Sequence, residues 1–402
     1  MKENFLKLII YGFLIIFGYF IYTNNQKLNS GNVIIKDIVY EKYQSKEQFE
    51  KGLDKPVILA HRGSRYLLPE NTILAFKTAL DLGADVIETD VRSSSDGVLV
   101  VIHDNLVDRT TNGKGEVEKH TVAQLRDLDA GYNFSPDNST TFPYRSKGIK
   151  IPLAKELFES LPAETQLNIE IKENSLDVAQ LLWNQIENSF EKTNRKPRSV
   201  LISCRYCEPT QHIRKLAQQY QQKKGLPALP ITTSACEQDA TKFVILNQFF
   251  LARIYYTWYP ITNFECFQVP TFSGPIRLDT HRFIDSAHYF GKQVHFWVVN
   301  FNDEIRNLLD LPIDGIISDR ADRVVSVFKE KSLKPSSFQI PKPLPSNSTG
   351  TYFLPEFDIE ENHTCISLTC ILVQRIHQII LSLIFAFLFL KIMAFKNRNK
   401  QQ

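Results

Sequence analysis

The middle of the chain alternates short apolar, β-branched segments with longer segments whose apolar residues recur every three or four positions. Such alternation is typical of consecutive βα units that assemble into a parallel sheet. The strand-like segments are residues 57–60, 86–91, 98–102, 167–171, 200–203, 231–233, 267–269, 294–299 and 315–318. They outnumber the eight strands of a (β/α)8 barrel, so in such a fold at least one of them is a loop or an extra strand.

Residues 72–82 have the clearest helical pattern. Asn71 or Thr72 supplies a side-chain cap at the start, and Gly83 suits the end because glycine adopts the left-handed conformation readily. The sequence therefore predicts an α-helix between the first two strands.

An apolar run near the start of the chain predicts a membrane anchor. Residues 5–22 are apolar except for Lys7, and the run is close to the roughly 20 residues that a spanning helix needs. The residues that follow offer no convincing small-residue cleavage site. An uncleaved anchor over residues 1–23 is therefore favoured over a signal peptide.

A second apolar run, residues 379–395, lies near the other end of the chain. It is short and contains Lys391, so an amphipathic or core helix is an alternative interpretation. Lys396, Arg398 and Lys400 follow it, and a basic cluster of this kind is expected on the cytoplasmic side of a span. A transmembrane helix with a basic tail, over residues 373–402, is therefore favoured.

The two runs define the predicted domain organisation. Residues 24–52 are polar and are expected to form a tether, residues 53–331 form the folded domain, and residues 332–372 form a linker rich in Pro, Ser and Asn. If both runs span the membrane, both termini are cytoplasmic. The folded domain is then extracytoplasmic, in a periplasm, a lumen or the extracellular space.

Composition narrows the choice of partners only a little. The hydrophobic and charged fractions, 43% and 23%, are those of an ordinary globular protein. The net charge of +3 is small for 402 residues, and the central region has no Lys/Arg cluster with interleaved aromatic residues. We therefore expect a membrane as a partner, and no nucleic acid.

The chain contains six cysteines, which are compatible with an extracytoplasmic domain. Cys365 and Cys370 lie close together in the sequence and would be able to form a disulfide in an oxidising compartment. Cys204 and Cys207 form a C-x-x-C pair, a pattern found in zinc and redox sites. No second pair and no suitably spaced histidines complete a zinc site, so this interpretation is weak.

One predicted strand carries two acidic residues two positions apart, and another carries an acidic residue two positions before a lysine. Glu88 and Asp90 project from the same face of one strand, and Asn168, Glu170 and Lys172 share a face of another. If that face points into a barrel, the charges must be paired or bound to a metal. Three carboxylates suit a hard cation, Mg²⁺ or Ca²⁺. The alternative is a solvated edge strand of alternating polarity.

Two histidines close predicted strands, at the end where barrel enzymes keep their functional groups. His61 follows the first strand and His103 follows the third. A lone histidine at a strand end is more often structural, but imidazole titrates near neutrality, so a pair can exchange protons with a nucleophile and a leaving group. Arg62 and Lys172 add cationic groups that suit a phosphate. Together these residues indicate phosphoryl chemistry.

Nine short motifs occur in an order that resembles the glycerophosphodiester phosphodiesterase family, and they cover the whole central domain. They are His61-Arg62-Gly63, Pro69-Glu70-Asn71-Thr72, Glu88-x-Asp90, His103-Asp104, Arg109-Thr110-Thr111-Asn112-Gly113, Ile151-Pro152-Leu153, Glu170-x-Lys172, Trp297-Val298-Val299-Asn300 and Asp314-Gly315-Ile316-Ile317. Each motif alone is weak, but nine in order are a specific signal. The resemblance implies a (β/α)8 TIM barrel, and hydrolysis of a glycerophosphodiester to glycerol 3-phosphate and an alcohol.

The resemblance also implies a role for each matching residue. The metal ligands would be Glu88, Asp90 and Glu170, and the acid/base pair would be His61 and His103. Phosphate and substrate contacts would come from Arg62, Lys172 and Trp297. Glu70 and Asn71 would support these groups from behind, or alternatively form a helix cap and the turn that approaches it. The resemblance is compatible with two routes: a substrate hydroxyl attacks first and gives a cyclic phosphate that water then opens, or metal-bound water attacks directly.

The motifs depart from the family pattern at three places. The aromatic strand reads Trp-Val-Val-Asn where Trp-Thr-Val-Asn is usual, residues 318–322 read Ser-Asp-Arg-Ala-Asp, and Cys204-Arg205 replaces Ser-Phe. These changes affect the expected head-group preference more than the chemistry. A membrane tether would hold the site near the bilayer, where lysophospholipids reside, so one alternative to the leading hypothesis is a lysophospholipase D that acts on membrane lysophospholipids. The other is a catalytically silent barrel that only binds.

Overall fold

The computed structural model describes residues 56–331 and contains a large sheet and a small hairpin. In chain order the strands are β1 (Val57–Ala60), β2 (Val86–Ser93), β3 (Leu99–Val101), β4 (Gln166–Ile171), β5 (Val200–Cys204), β6 (Thr232–Thr233), β7 (Cys266–Val269), β8 (Phe272–Ser273), β9 (Ile276–Arg277), β10 (Gln293–Phe296) and β11 (Gly315–Ser318). All nine predicted segments overlap a strand of the large sheet, although most boundaries differ by a residue or more.

Eight strands of the large sheet are parallel, in the spatial order β6-β5-β4-β2-β1-β11-β10-β7. The two ends of this order meet, because Ser234 just after β6 forms a parallel bridge with Cys266 at the start of β7. The sheet is therefore a nearly closed barrel of eight parallel strands. This confirms the predicted barrel in outline.

The remaining strand of that sheet is the extra one that the sequence pattern required. β3 pairs antiparallel with the end of β2, with Val101 opposite Val91 and Leu99 opposite Ser93. β2 and β3 thus form a hairpin, and β3 leads the chain back to the mouth of the barrel.

Helices connect successive strands of the barrel. They are α1 (Ile73–Leu82), α2 (Val122–Asp127), α3 (Ala154–Ser160), α4 (Leu176–Lys192), α5 (Cys207–Lys224), α6 (Glu237–Gln248), α7 (Ala252–Trp258), α8 (His281–Tyr289), α9 (Asn302–Leu308) and α10 (Ala321–Glu330). The predicted first helix is confirmed. Of the two proposed caps it uses Thr72, whose hydroxyl accepts from the Ala75 N–H, and it ends at Gly83 with φ 104°.

The hydrophobic core lies between the sheet and the outer helices. Ile87, Ile169 and Ile202 are fully buried on the outer face of their strands, and an aromatic cluster that includes Phe243 and Phe267 fills another part of it. Inside the barrel, a cavity of about 280 Å³ lies among the first residues of several strands. It is at the opposite end of the barrel from the carboxyl ends of the strands.

Residues Thr271–Leu278 fall outside the compact unit that contains the barrel strands. Within this segment, β8 and β9 pair antiparallel, with Phe272 opposite Arg277, and the Arg277 guanidinium lies over the Phe272 ring.

None of the helices between residues 56 and 331 has the length and apolarity needed to cross a bilayer. The predicted anchor (1–23), tether (24–52), linker (332–372) and C-terminal transmembrane helix (373–402) all lie outside the described residues.

Candidate active site

Two neighbouring strands bring three carboxylates together at the mouth of the barrel. Glu88 and Asp90 project from β2, and Glu170 projects from β4, where it stands opposite Asp90 in the parallel register. One oxygen from each carboxylate lies within 4.8 Å of an oxygen of each of the others. The geometry that the strand alternation predicted is therefore present.

Burial makes the charge of this cluster costly. Glu88 and Asp90 are 4% and 0% exposed. Burial, together with the charge of Asp90, raises the pKa of Glu88. Burial also opposes ionisation of Asp90, but the charges of Lys172 and Arg62 outweigh it and lower the pKa of Asp90. Three close carboxylates, one of which resists ionisation, fit a hard divalent cation bound through oxygen.

Lys172 contacts two of the three carboxylates. Its Nζ lies 3.0 Å from Asp90 Oδ1 and 2.8 Å from Glu170 Oε2. Burial disfavours the charged form of Lys172, yet the charges of Asp90 and Glu170 outweigh burial and raise its pKa. The lysine is therefore a fixed positive charge beside the acidic cluster.

Arg62 lies on the other side of the cluster, in a single 3-10 turn formed by His61–Gly63 after β1. Its backbone N–H donates to Glu88 Oε2 at 2.8 Å, and its Nη1 donates to Glu70 Oε1 at 3.0 Å. The Arg62 Nε is 3.4 Å from Asp90 Oδ2 and is buried without a hydrogen bond among the described residues. The guanidinium thus retains a donor inside the site.

Asn71 holds one of the carboxylates in place. Its Nδ2 donates to Asp90 Oδ2 at 2.8 Å, and its Oδ1 accepts from the Thr89 hydroxyl at 2.8 Å. Its backbone N–H donates to the Arg62 carbonyl at 2.9 Å. Of the two roles considered for Asn71, the contacts are those of a support for Asp90, and Thr72 is the helix cap.

Glu70 binds two arginines. It accepts from Arg62 and, through both carboxylate oxygens, from Arg109 at 2.7 and 2.8 Å. Burial opposes ionisation of Glu70, but the hydrogen bonds and charges of the two guanidinium groups outweigh it and hold its pKa below the ordinary value. Arg109 also donates from Nε to Asp104 at 2.6 Å, so Glu70 belongs to a charge network that extends to the His103 loop.

His61 is held by a carboxylate from the last barrel strand. Its Nδ1 lies 2.5 Å from Oδ1 of Asp319, which directly follows β11, and its Nε2 lies 4.0 Å from Glu88 Oε2. Asp319 is 1% exposed and also accepts from Arg65 and Asn300. Burial lowers the pKa of His61, but the charges of Glu88 and Asp319 outweigh it and raise the pKa overall.

His103 reaches the same mouth by a different path. It follows β3, which is antiparallel to β2, and not a parallel strand of the barrel as the sequence pattern suggested. The Ile102 N–H donates to the Asp90 carbonyl at 3.1 Å, which brings His103 back beside the acidic cluster. Its Nδ1 lies 2.6 Å from Asp104 Oδ1. Burial, together with the charges of Lys172 and Arg62, lowers the pKa of His103.

Trp297 follows β10 and is 42% exposed. Its backbone N–H donates to the Val269 carbonyl at 3.1 Å. The indole is therefore available to a bound molecule, although within residues 56–331 no hydrogen bond joins Trp297 to the acidic cluster.

Several residues of the site carried no assigned role at the level of sequence. They are Arg65, Asp104, Arg109, Asn300 and Asp319. Asp104 and Arg109 belong to two of the motifs given above, and both lie close to His103 in the sequence. That closeness was a signal that they support the same part of the site. Asp319 had a weaker one: like His61, it is a titratable residue one position beyond a predicted barrel strand.

The C-x-x-C pair does not form a metal or redox site of its own. Cys207 is bonded to Cys236, and Cys204 is a free, buried thiol. Cys204 and Cys207 therefore do not act together as a zinc or dithiol pair, and that interpretation of the motif is wrong. Cys365 and Cys370 lie outside the described residues.

A barrel mouth with clustered acids, two carboxylate-bound histidines and two cationic side chains is equipped for hydrolysis at a charged phosphate ester. Comparison with known proteins agrees. Residues 61–323 match the model of the glycerophosphoryl diester phosphodiesterase family. A glycerophosphodiester phosphodiesterase of Caldanaerobacter subterraneus is 30% identical over 280 residues, which cover 69% of this chain and 99% of that protein.

Solved structures show the same fold. A glycerophosphodiester phosphodiesterase of Agrobacterium tumefaciens matches with a TM-score of 0.50 at 23% identity, covering 68% of this chain and 100% of that one. A phosphodiesterase of Oleispira antarctica, solved in complex with its product sn-glycerol-3-phosphate, matches with a TM-score of 0.50 at 20% identity, covering 68% and 97%. The chain belongs to the glycerophosphodiester phosphodiesterase family and is an enzyme, a phosphoric diester hydrolase.

The Glu70 network makes a prediction about stability. Glu70→Gln removes the charge that faces the buried Arg62, and we expect it to lower the free energy of unfolding by about 2 kcal/mol at pH 7, as measured by urea denaturation. Because the folded-state pKa of Glu70 is depressed, its contribution is complete above the ordinary pKa of 4.5 and is lost as the pH falls through the folded value. The difference between variant and wild type should therefore shrink in acid.

Glu118→Gln is the matched control, since Glu118 is exposed and its described ion pair is with the exposed Lys119. It should change stability by less than about 0.5 kcal/mol. An equal effect of the two substitutions, or a Glu70→Gln difference that does not depend on pH, would contradict the assignment.

Proposed function

We propose that the enzyme hydrolyses glycerophosphodiesters to glycerol 3-phosphate and an alcohol, with a divalent cation and with His61 and His103 as the acid/base pair. The observation that carries the proposal is the convergence of three carboxylate oxygens within 4.8 Å beside two histidines. The product bound to the Oleispira antarctica relative supports the choice of substrate.

The cation would be held by Glu88, Asp90 and Glu170. A hard ion such as Mg²⁺ or Ca²⁺ suits this all-oxygen set, and when bound it would neutralise charge on the phosphate. The raised pKa of Glu88 supports this assignment, since the three acids are not fully compensated by the neighbouring lysine and arginine.

Arg62 and Lys172 would hold the phosphate. Each already lies against Asp90, so an anion that enters the site meets two fixed positive charges. The unused donor at Arg62 Nε gives the phosphate a hydrogen bond that the free enzyme does not make. Trp297, half-exposed beyond β10, would pack against the glycerol or the head group.

The histidines would move the protons. Asp319 engages Nδ1 of His61, and Asp104 engages Nδ1 of His103, so Nε2 is the atom that each ring offers to substrate. One imidazole would take the proton of the attacking hydroxyl, and the other would give a proton to the departing alkoxide. The paired carboxylates keep both rings oriented for these transfers.

We further propose that the domain is extracytoplasmic and tethered to a membrane. The disulfide between Cys207 and Cys236 supports this location, because disulfides persist mainly in oxidising compartments. Protease added to intact cells should then cleave the barrel domain, and complete protection would reverse the proposed orientation.

Substrate choice can be decided by comparing glycerophosphocholine with lysophosphatidylcholine on the full-length protein in detergent. We expect the deacylated substrate to have the higher kcat/KM, with release of glycerol 3-phosphate and choline. A higher kcat/KM for the lysophospholipid would instead make the enzyme a lysophospholipase D. Absence of turnover with every diester tested would leave only a binding role.

Metal removal should abolish turnover. A chelator is expected to inactivate the enzyme, and added Mg²⁺ or Ca²⁺ should restore activity. Added cation should also raise the midpoint of thermal unfolding, by linkage, in the wild type but not in Asp90→Asn. Asp81→Asn, a change of an exposed helical carboxylate, is the control and should respond like the wild type. Full activity in chelator, or an equal thermal shift in Asp90→Asn, would rule out the proposed ligand set.

Removal of either histidine should impair catalysis while the fold survives. His61→Ala and His103→Ala are each expected to lower kcat by on the order of 10²- to 10⁴-fold, with an unchanged circular dichroism spectrum. His281→Ala serves as the control, because that side chain is 66% exposed at the start of α8. Wild-type turnover in either active-site variant would remove that residue from the mechanism.

A further inference from the structure

The barrel is closed by its shortest strand. β6 has two residues, and it pairs with β5 at two positions. β1 with β2 and β10 with β11 also pair at two positions, but each of those strands pairs at four or more positions with its other neighbour. Towards β7 the contact is a single bridge between Ser234 and Cys266, with flanking backbone hydrogen bonds of 2.8 and 2.9 Å. Side chains add to these contacts, because the Thr233 N–H donates to Glu265 Oε2 and the Thr233 hydroxyl accepts from Arg214 Nη1, both at 2.8 Å. The backbone ladder at β6 is still the shortest of the barrel, and β6 is expected to open more readily than the other barrel strands.

A covalent bond crosses this weak region. Cys207 is the first residue of α5, just after β5, and Cys236 is the N-cap residue of α6, just after β6. Their Cα atoms lie 5.1 Å apart, although they are separated by 29 residues in the sequence. The disulfide thus ties the carboxyl end of β6 to that of its neighbour β5.

The other cross-links at this position are weaker. The Glu237 N–H donates to the Arg205 carbonyl at 3.0 Å, and the Arg205 Nε lies 2.6 Å from Glu237 Oε2. Both charged side chains are more than half exposed, and ion pairs of that kind contribute little. The disulfide is therefore the main constraint between the two loops.

We propose that the Cys207–Cys236 disulfide is a redox-sensitive clasp that keeps β6 in the barrel and fixes the β5–α5 and β6–α6 loops at the mouth. These loops lie at the carboxyl ends of barrel strands, where the site is built. The part of the inference that concerns activity rests on the proposed function. The part that concerns the opening of β6 does not.

Reduction would proceed by thiol–disulfide exchange. The thiolate of an external dithiol attacks Cys207 Sγ, because Cys207 is half-buried while Cys236 is 2% exposed, and the Cys236 thiolate leaves. The second thiol of the reductant then displaces Cys207, which yields two protein thiols and one oxidised reductant. Two electrons and two protons pass from the dithiol to the protein.

Cys204 does not compete in this exchange. It is 4% exposed, and burial raises the pKa of its thiol to about 11, so that it is protonated near neutral pH. The clasp therefore has two states, closed in an oxidising compartment and open in a reducing one.

Hydrogen exchange of the full-length protein tests the proposed clasp. It is measured on the oxidised protein and again after reduction with dithiothreitol. Exchange in residues 231–236 should accelerate by at least about tenfold on reduction, while residues 86–93 of β2 stay unchanged. The variant Cys207→Ser/Cys236→Ser should exchange in the same way without reductant. The matched controls Cys365→Ser/Cys370→Ser and Cys204→Ser should behave like the wild type.

Equal exchange of residues 231–236 in the oxidised and reduced protein would overturn the proposal, as would acceleration in Cys365→Ser/Cys370→Ser without reductant. If the Cys207→Ser/Cys236→Ser protein fails to fold, reduction of the native wild type still gives the measurement. Glycerophosphocholine turnover should fall together with the loss of protection. If even the oxidised protein has no turnover, the proposed function fails, but the exchange result still decides whether the clasp exists.

Discussion

Mutual repulsion among three close carboxylates, two of them buried, is the constraint on which the site depends. The parallel pairing of β2 with β4 places Asp90 opposite Glu170, and Glu88 lies two residues before Asp90 on the same face. Two of these groups are almost without solvent, so their charge must be compensated inside the protein. Lys172, Arg62 and Asn71 supply part of that compensation, and a cation of suitable hardness would supply the rest.

The residues around the cluster are organised by the same requirement. Glu70 forms ion pairs with Arg62 and Arg109. Asp104 in turn pairs with Arg109 and contacts the His103 ring. On the opposite side Asp319 fixes His61 and is itself held by Arg65 and Asn300. Each proposed metal ligand and each of the two histidines thus has a charged or hydrogen-bonded partner that limits its movement, which is how a site gains pre-organisation.

Much of this arrangement could be predicted from the sequence, because period-two alternation fixes which residues of a strand share a face. That rule placed Glu88 with Asp90, and Glu170 with Lys172. It carries no information about strand direction, so the antiparallel β3 and the return path of His103 were not predicted. Partners that are distant in the chain were also missed: Asp319 is 258 residues from His61, and Cys236 is 29 from Cys207. Such pairings depend on how the barrel closes, which local patterns do not record.

We propose above all that acids from β2 and β4 share one divalent cation. Anomalous diffraction from crystals grown with Mn²⁺, which prefers similar oxygen ligands, tests this claim directly. We expect one strong peak about 2.0–2.6 Å from carboxylate oxygens of Glu88, Asp90 and Glu170. If the protein is active under the same conditions but the Mn²⁺ peak is missing there, or lies elsewhere, the proposed ligand set is contradicted.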